Sequence, residues 1–390
     1  METKMRLNYL DWLRVLLILT VFFFHSIRFF DLDGWQIKNA TTYLGPQIMV
    51  YFVSSWMMPL IFIVSGASIY YALGKRGAGQ FIKDRALRLL VPLAVGLFTH
   101  VALQVYLERV SHGQYVGSFW QWYPGYISSI GSGGFNWTGM HLWYLEMLFL
   151  FSLVCLPLFL WLRRGSGTRL LAWLDDRLAT SGLVLLPMVL LILPTVLMDP
   201  DSGILADYNS FGGWNLPSYL IFFLAGFLIP SSKHLQSSVI RLRWFSLAGG
   251  LVTTIADFGL FAAVGDVNYG TPEYTLIFLL RSITSWFWML AILAFGMQRL
   301  STRSPFLEYA NEAVLPFYIL HQSVLISIGY FVVQWNIADP FKWAIIAGSS
   351  FATIMVLYEF LIRRVNLFRF LFGMKLLKKE EQAVVLPARA

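Results

Sequence analysis

Ten runs of about twenty apolar residues recur along this chain, and a run of that length is what an α-helix needs to cross a hydrocarbon core of ~30 Å. They lie at roughly 10–30, 48–73, 88–107, 141–162, 182–198, 215–230, 243–264, 274–297, 313–334 and 341–362. Such runs leave little room for any fold but a polytopic membrane helix bundle, all-α, because backbone polar groups in lipid must be satisfied inside the segment. Composition agrees. Of 390 residues 57% are apolar and only 13% charged, against about 25% charged in a soluble domain. The fifth and sixth runs are short and interrupted by Pro187, Pro194 and Pro217. The first follows Lys4 and Arg6 as a signal peptide would, but no small-x-small cleavage site comes after it, so it reads as a helix.

Loop charges set an expected orientation. With the N-terminus inside, the inner segments hold Lys4, Arg6, Lys75, Arg76, Lys83, Arg85, Arg88, Arg163, Arg164, Arg169, Arg177, Lys233, Arg241, Arg243, Arg299, Arg303 and the basic tail from Arg363. The outer loops hold mainly acids, with Arg28, Lys38, Arg109 and Lys342 as the exceptions. This asymmetry predicts N-in and C-in. One transmembrane domain over 1–374 is expected, followed by a basic, disordered cytoplasmic tail over 375–390. The net charge of +8 sits in these loops, and no soluble basic module exists to bind nucleic acid. Cys155 stands alone, which excludes an intrachain disulfide.

Arg14 and His25 lie eleven positions apart inside the first run, LDWLRVLLILTVFFFHS. On a helix that is three turns, so both face nearly the same way, about 16 Å apart. Charged or titratable groups at membrane depth are costly and normally serve a function. His141 and His321 are expected at the height of His25, while His100, His112 and His234 are given no catalytic part. Three imidazoles could bind metal, but no tight i, i+3 or i, i+4 ligand pairs accompany them, and general base or substrate positioning is the preferred use. A second constellation is basic: Arg14, Lys83, Arg85 and Arg88 at inner helix mouths, with Ser65 and Gly66 nearby in PLIFIVSG. It reads either as topology alone or as a polyphosphate site, and coenzyme A suits it. No Walker motif is present. Glu146, Asp257 and Arg281 are intramembrane ionisable groups, and Arg281 is cationic on the side where cations are otherwise avoided. The loop of about 108–140 is rich in Gly and aromatics, and reads as an interfacial belt or as a platform for a sugar ring.

The spacing Arg14–His25, the run IFIVSG (61–66), RALR (85–88), HLWYL (141–145) and NEAVLPFYILHQ (311–322) together resemble the acyltransferase-3 family of integral membrane O-acyltransferases. The tail LYEFLIRRVNLFRFLFGMK (357–375) is similar, more narrowly, to a branch associated with succinylation of periplasmic glucans. The resemblance implies a bacterial inner-membrane enzyme. It would transfer an acyl group from cytoplasmic acyl-CoA, succinyl-CoA or acetyl-CoA, to hydroxyls of a glycan acceptor on the outer side. Arg14, Ser65, Arg85 and Arg88 would bind CoA. His25 would be the general base, with His141, His321 and Glu146 as further catalytic groups. Trp143, Tyr144, Arg281 and Arg28 would contact substrate, and no metal is expected. Membrane lipids are the remaining partner, and a homodimer is left open. A transporter or flippase of a lipid-linked sugar is the alternative, though no paired broken-helix symmetry supports it. A noncatalytic partner in a glycan assembly complex is a third.

Overall fold

The computed structural model describes residues 2–75, 77–130, 140–180, 183–198, 211–265 and 267–378. Arg76, Asp199, Asp201, Asp207 and Asp266, the stretch 131–139 of the aromatic loop and the tail beyond 378 lie outside them. Among the described residues all regular structure is helical. Seven helices among the described residues are long and apolar enough to cross a membrane, and the number reaches nine if each of two bent pairs is one span. One bent pair joins Met140–Val154 to Leu156–Leu162 at 50°, the other Leu216–Ser231 to Lys233–Arg241 at 107°. The expected span over 182–198 is a short apolar helix, Leu186–Leu197, interrupted near Leu191.

The chain divides into two compact units. The first comprises Met1–Leu17, Tyr51–Phe81 and Leu150–Leu307, and the second Ile18–Val50, Ile82–Phe149 and Glu308–Ala390. Several helices contribute to both, among them α1 (Glu2–Ile27) and α2 (Leu44–Leu73).

In the first unit α2 is followed, much later in the chain, by the helices Leu216–Ser231, Arg243–Val264 and Pro272–Arg299. Their starts are written in the sequence. Asn215 accepts from the Ser218 amide at 3.0 Å with Pro217 in the first turn, and Thr271 accepts from the Tyr274 amide at 3.2 Å with Pro272 beside it. These caps satisfy amides that have no intrahelical partner. The Leu216–Ser231 helix crosses α2 at two glycines. A Cβ on Gly66 would run into the Phe223 carbonyl, and one on Gly226 into the Ile63 carbonyl. Backbone therefore meets backbone, as small residues permit inside membranes. Around this crossing pack Phe62 on Tyr219 (4.7 Å between centroids) and Phe159 on Phe227 (3.8 Å).

The second unit holds α3 (Ala78–Phe98), α4 (His100–Ser111), α5 (Phe119–Ser129), the single turn Met140–Leu142 leading into α6 (Trp143–Val154), and further on Pro305–Val332 and Asp339–Leu357. The buried rings of Phe22 and Phe317 pack against each other at 5.4 Å, and the exposed Phe351 lies against both at 5.5–6.0 Å. The expected span 88–107 is broken at Thr99, between α3 and α4. A break frees carbonyls that must be satisfied elsewhere. The hydroxyls of Tyr126 and Tyr123, both on α5, donate to the carbonyls of Leu97 and Phe98 at 2.8 and 2.7 Å.

Candidate active site

The break at Thr99, the turn at His141 and the middle of the Pro305–Val332 helix bring four imidazoles together in the second unit. The His25 and His321 rings are 5.0 Å apart between centroids, His321 and His141 5.1 Å, and His141 and His100 6.3 Å. Trp35 stacks over His25 at 6.1 Å and 20°. His321 and His141 are buried, while His25 is half-buried.

Carbonyl oxygens only accept, so a ring nitrogen facing one must carry its proton. That rule fixes the tautomers. His321 Nδ1–H donates to the Tyr318 carbonyl at 2.5 Å, which leaves His321 Nε2 as an acceptor. His25 Nδ1 faces both the Val21 carbonyl at 3.0 Å and His321 Nε2 at 3.1 Å, so it is a shared donor to the two. The lone pair of His25 is therefore on Nε2. His141 Nε2–H donates to the Ile319 carbonyl at 2.9 Å, and its Nδ1 accepts from Gln104 at 3.4 Å. Gln104 also donates to Ser323 Oγ at 2.5 Å, and the Tyr318 hydroxyl donates to the His141 carbonyl. Each ring nitrogen that faces a carbonyl thus donates to it, an arrangement of uncharged donors and acceptors that suits a low-dielectric setting where a charge would be expensive.

The other candidates fall in several places. Trp143 and Tyr144 open α6, with Tyr144 edge-on to Tyr318 at 5.7 Å, and Glu146 lies one turn in, half-buried. Arg85 and Arg88 are three residues apart on α3. Arg28 does not stand free for a ligand: it bonds Asp31, Asp33 at 3.4 Å and the Gly34 carbonyl at 2.7 Å. Lys38 closes on Asp31 from the other side. Burial pushes the Asp31 carboxyl upward, against the pull of Lys38 and Arg28. In the first unit Arg14 pairs with Asp11 at 2.5 Å and donates to the Ser68 hydroxyl. Ser65 is buried and donates to the Ile61 carbonyl at 2.8 Å. Arg281 is caged by aromatic rings, its guanidinium 5.5 Å from Tyr51 and Trp214 and 5.9 Å from Phe278. Tyr51 presents its hydroxyl to Asp257 at 3.5 Å, and Arg281 Nε is buried without an acceptor among the described residues.

Sequence reasoning passed over Gln104, Ser323, Tyr318 and His100. The only available signal was a glutamine and a serine inside strongly apolar runs.

A family model described as an acyltransferase domain matches residues 7–359, which include all four imidazoles. The chain belongs to the acyltransferase-3 family. It is a multi-pass membrane protein and an acyltransferase by that membership. Among curated relatives, glucans biosynthesis protein C of Salmonella agona is 22% identical over 391 residues, covering 97% of each chain. The protein of that name from Escherichia coli K12 is 22% identical over 392 residues, covering 96% of each. No solved structure matches the chain.

Proposed function

We propose that this acyltransferase moves an acyl group, succinyl in preference to acetyl, from cytoplasmic acyl-CoA to a hydroxyl of an extracytoplasmic glycan, with His25 as general base. The glycan acceptor is supported by relatives named for glucan biosynthesis. The base is supported by one observation: His25 keeps its lone pair on Nε2 while Nδ1–H is held by His321 and the Val21 carbonyl.

In this reading His25 Nε2 takes the proton of the acceptor hydroxyl as its oxygen attacks the thioester carbonyl. The new C–O bond forms, the C–S bond breaks, and the proton passes from His25 to the leaving thiolate, giving ester and free CoA. His321 plays the orienting part: it fixes the tautomer and stabilises the Nδ1–H of the imidazolium formed in passing. His141 and Gln104 hold the frame behind it, and Trp143 or Tyr144 supplies a donor to the thioester oxygen as charge develops. Glu146, in the first turn of α6, is a further catalytic group. Arg85 and Arg88 take CoA phosphates. Arg281 takes the carboxylate of a succinyl group. The chain crosses the bacterial inner membrane ten times, N-in and C-in, with Leu186–Leu197 as part of the fifth span.

The test is purified protein with radiolabelled succinyl-CoA or acetyl-CoA and a panel of glycans, scored for CoA release and acylated product. His25→Ala should insert and fold, and should lose about 10²–10⁴ in rate. Near wild-type turnover in a folded His25→Ala variant overturns the mechanism. Arg85→Ala and Arg88→Ala should raise the KM for acyl-CoA, and unchanged KM in both removes their phosphate role.

A further inference from the structure

The first residue of α4, His100, sits at the helix break with one nitrogen accounted for. Thr99 donates its hydroxyl proton to the Val95 carbonyl at 2.6 Å, so its oxygen is left to accept from His100 Nδ1 at 3.2 Å. His100 Nδ1 therefore carries the proton and Nε2 the lone pair. That Nε2 is buried and has no partner among the described residues. Gly96 presses on the ring from the preceding turn, where a Cβ would meet His100 Nε2 and Cε1.

Gln104 lies one turn further along α4, on the same face, as i and i+4 positions do. Its side chain is fully buried. Both donations of its amide nitrogen are spent, on Ser323 and His141, which leaves Oε1 as a buried acceptor without a partner among the described residues. Gln322, the neighbour of His321, presents a third such acceptor in Oε1. Buried acceptors are normally satisfied. Here the unsatisfied atoms are all acceptors, and they cluster beside the imidazoles. A ligand that completes them must bring hydrogen-bond donors and no negative charge.

We propose that His100 Nε2 and Gln104 Oε1 form a subsite that reads hydrogen-bond donors on the substrate. The donors are hydroxyls of the acceptor sugar or amide N–H groups of the pantetheine arm. The proposal rests on the acyl-transfer reading of the neighbouring site, and it makes His100 a substrate-binding residue.

Two variants separate the ring's volume from its lone pair. His100→Leu fills the space without an acceptor, and His100→Gln restores an amide oxygen near the place of Nε2. Binding of coenzyme A alone and of a gluco-oligosaccharide alone is measured by calorimetry on the full chain in detergent, beside KM and kcat for each. Loss of one neutral hydrogen bond should weaken one ligand about 3- to 10-fold in His100→Leu. His100→Gln should recover most of it, and kcat should change less than KM. Weakened CoA binding identifies the pantetheine amides, and weakened saccharide binding identifies a hydroxyl. In the second case, saccharides lacking one hydroxyl at a time should show a penalty in wild type that disappears in His100→Leu. If both variants fold and bind both ligands as wild type does, the subsite is overturned. Equal weakening of both ligands in both variants, without rescue by Gln, also overturns it, because that marks a packing role. A wild type that binds a ligand but transfers no acyl group overturns the acyl-transfer reading alone and leaves this comparison readable.

Discussion

The imidazole cluster of the second unit and the Arg281 cage of the first are both polar islands among apolar helices, and they solve the cost of burial in different ways. The imidazoles stay neutral and exchange hydrogen bonds in a fixed direction, from His25 to His321 to the Tyr318 carbonyl. Arg281 keeps its charge and is held by ring faces, by a weak 3.4 Å contact to Ser54 and by a buried Nε–H with no acceptor among the described residues. A paired network specifies geometry, because each tautomer depends on the next. A caged cation specifies sign. It tolerates several ring arrangements but prefers a negative partner. The first arrangement suits proton transfer and the second suits recognition of an anion.

The comparison breaks most readily at His321. His321→Leu removes the acceptor of His25 Nδ1–H while leaving the helix apolar. The tautomer is then held by the Val21 carbonyl alone, and kcat should fall about 10–100-fold with little change in KM. An unchanged kcat would make His321 a spectator and reduce the network to packing.

The cage gives a smaller and more selective effect. Arg281→Met should cost within about 1 kcal/mol of stability, because the desolvation cost of a half-buried cation offsets its ring and hydroxyl contacts. Thermal unfolding in detergent measures this. In the same variant, transfer from succinyl-CoA should drop about tenfold relative to acetyl-CoA if the guanidinium binds the second carboxylate. Equal losses with both donors would assign Arg281 to the fold instead.

The smallest expected effect sharpens the contrast. Ser54→Ala deletes a long contact in the cage and should change stability by less than about 0.5 kcal/mol. A loss of several times that would mean that the cage, too, is held by directed hydrogen bonds.

The sequence made the membrane class legible because run length and charge placement are local properties. The height of His25, His141 and His321 was legible too, since each could be counted from a helix mouth, and the structure brings the three rings together. What escaped was anything that depends on packing between distant segments. His100 looks like an isolated histidine in an apolar run, and only the break at Thr99 turns it toward His141. Gln104 meets Ser323 across 219 positions of sequence, which no periodicity encodes. Gly66 was read beside Ser65 as part of a basic inner mouth. In the structure its bare backbone is where α2 meets the Leu216–Ser231 helix. Arg28 is a candidate substrate ligand by its place one turn beyond His25, but the structure engages it with Asp31, three positions on.

The paired glycines also bear on how the protein is made. Gly66 and Gly226 are 160 residues apart in the chain. At a synthesis rate of about 5–20 residues per second, α2 leaves the ribosome about 8–30 s before its partner helix exists. Through that interval the groove at Ile63 and Gly66 faces lipid or the insertion machinery, and the helix must stay upright on its own hydrophobicity. A bulky side chain at position 66 would thus pass unnoticed during insertion of α2 and be felt only when the later helix arrives, so the defect would be one of late assembly, with inserted but unfinished chains handed to quality-control proteases.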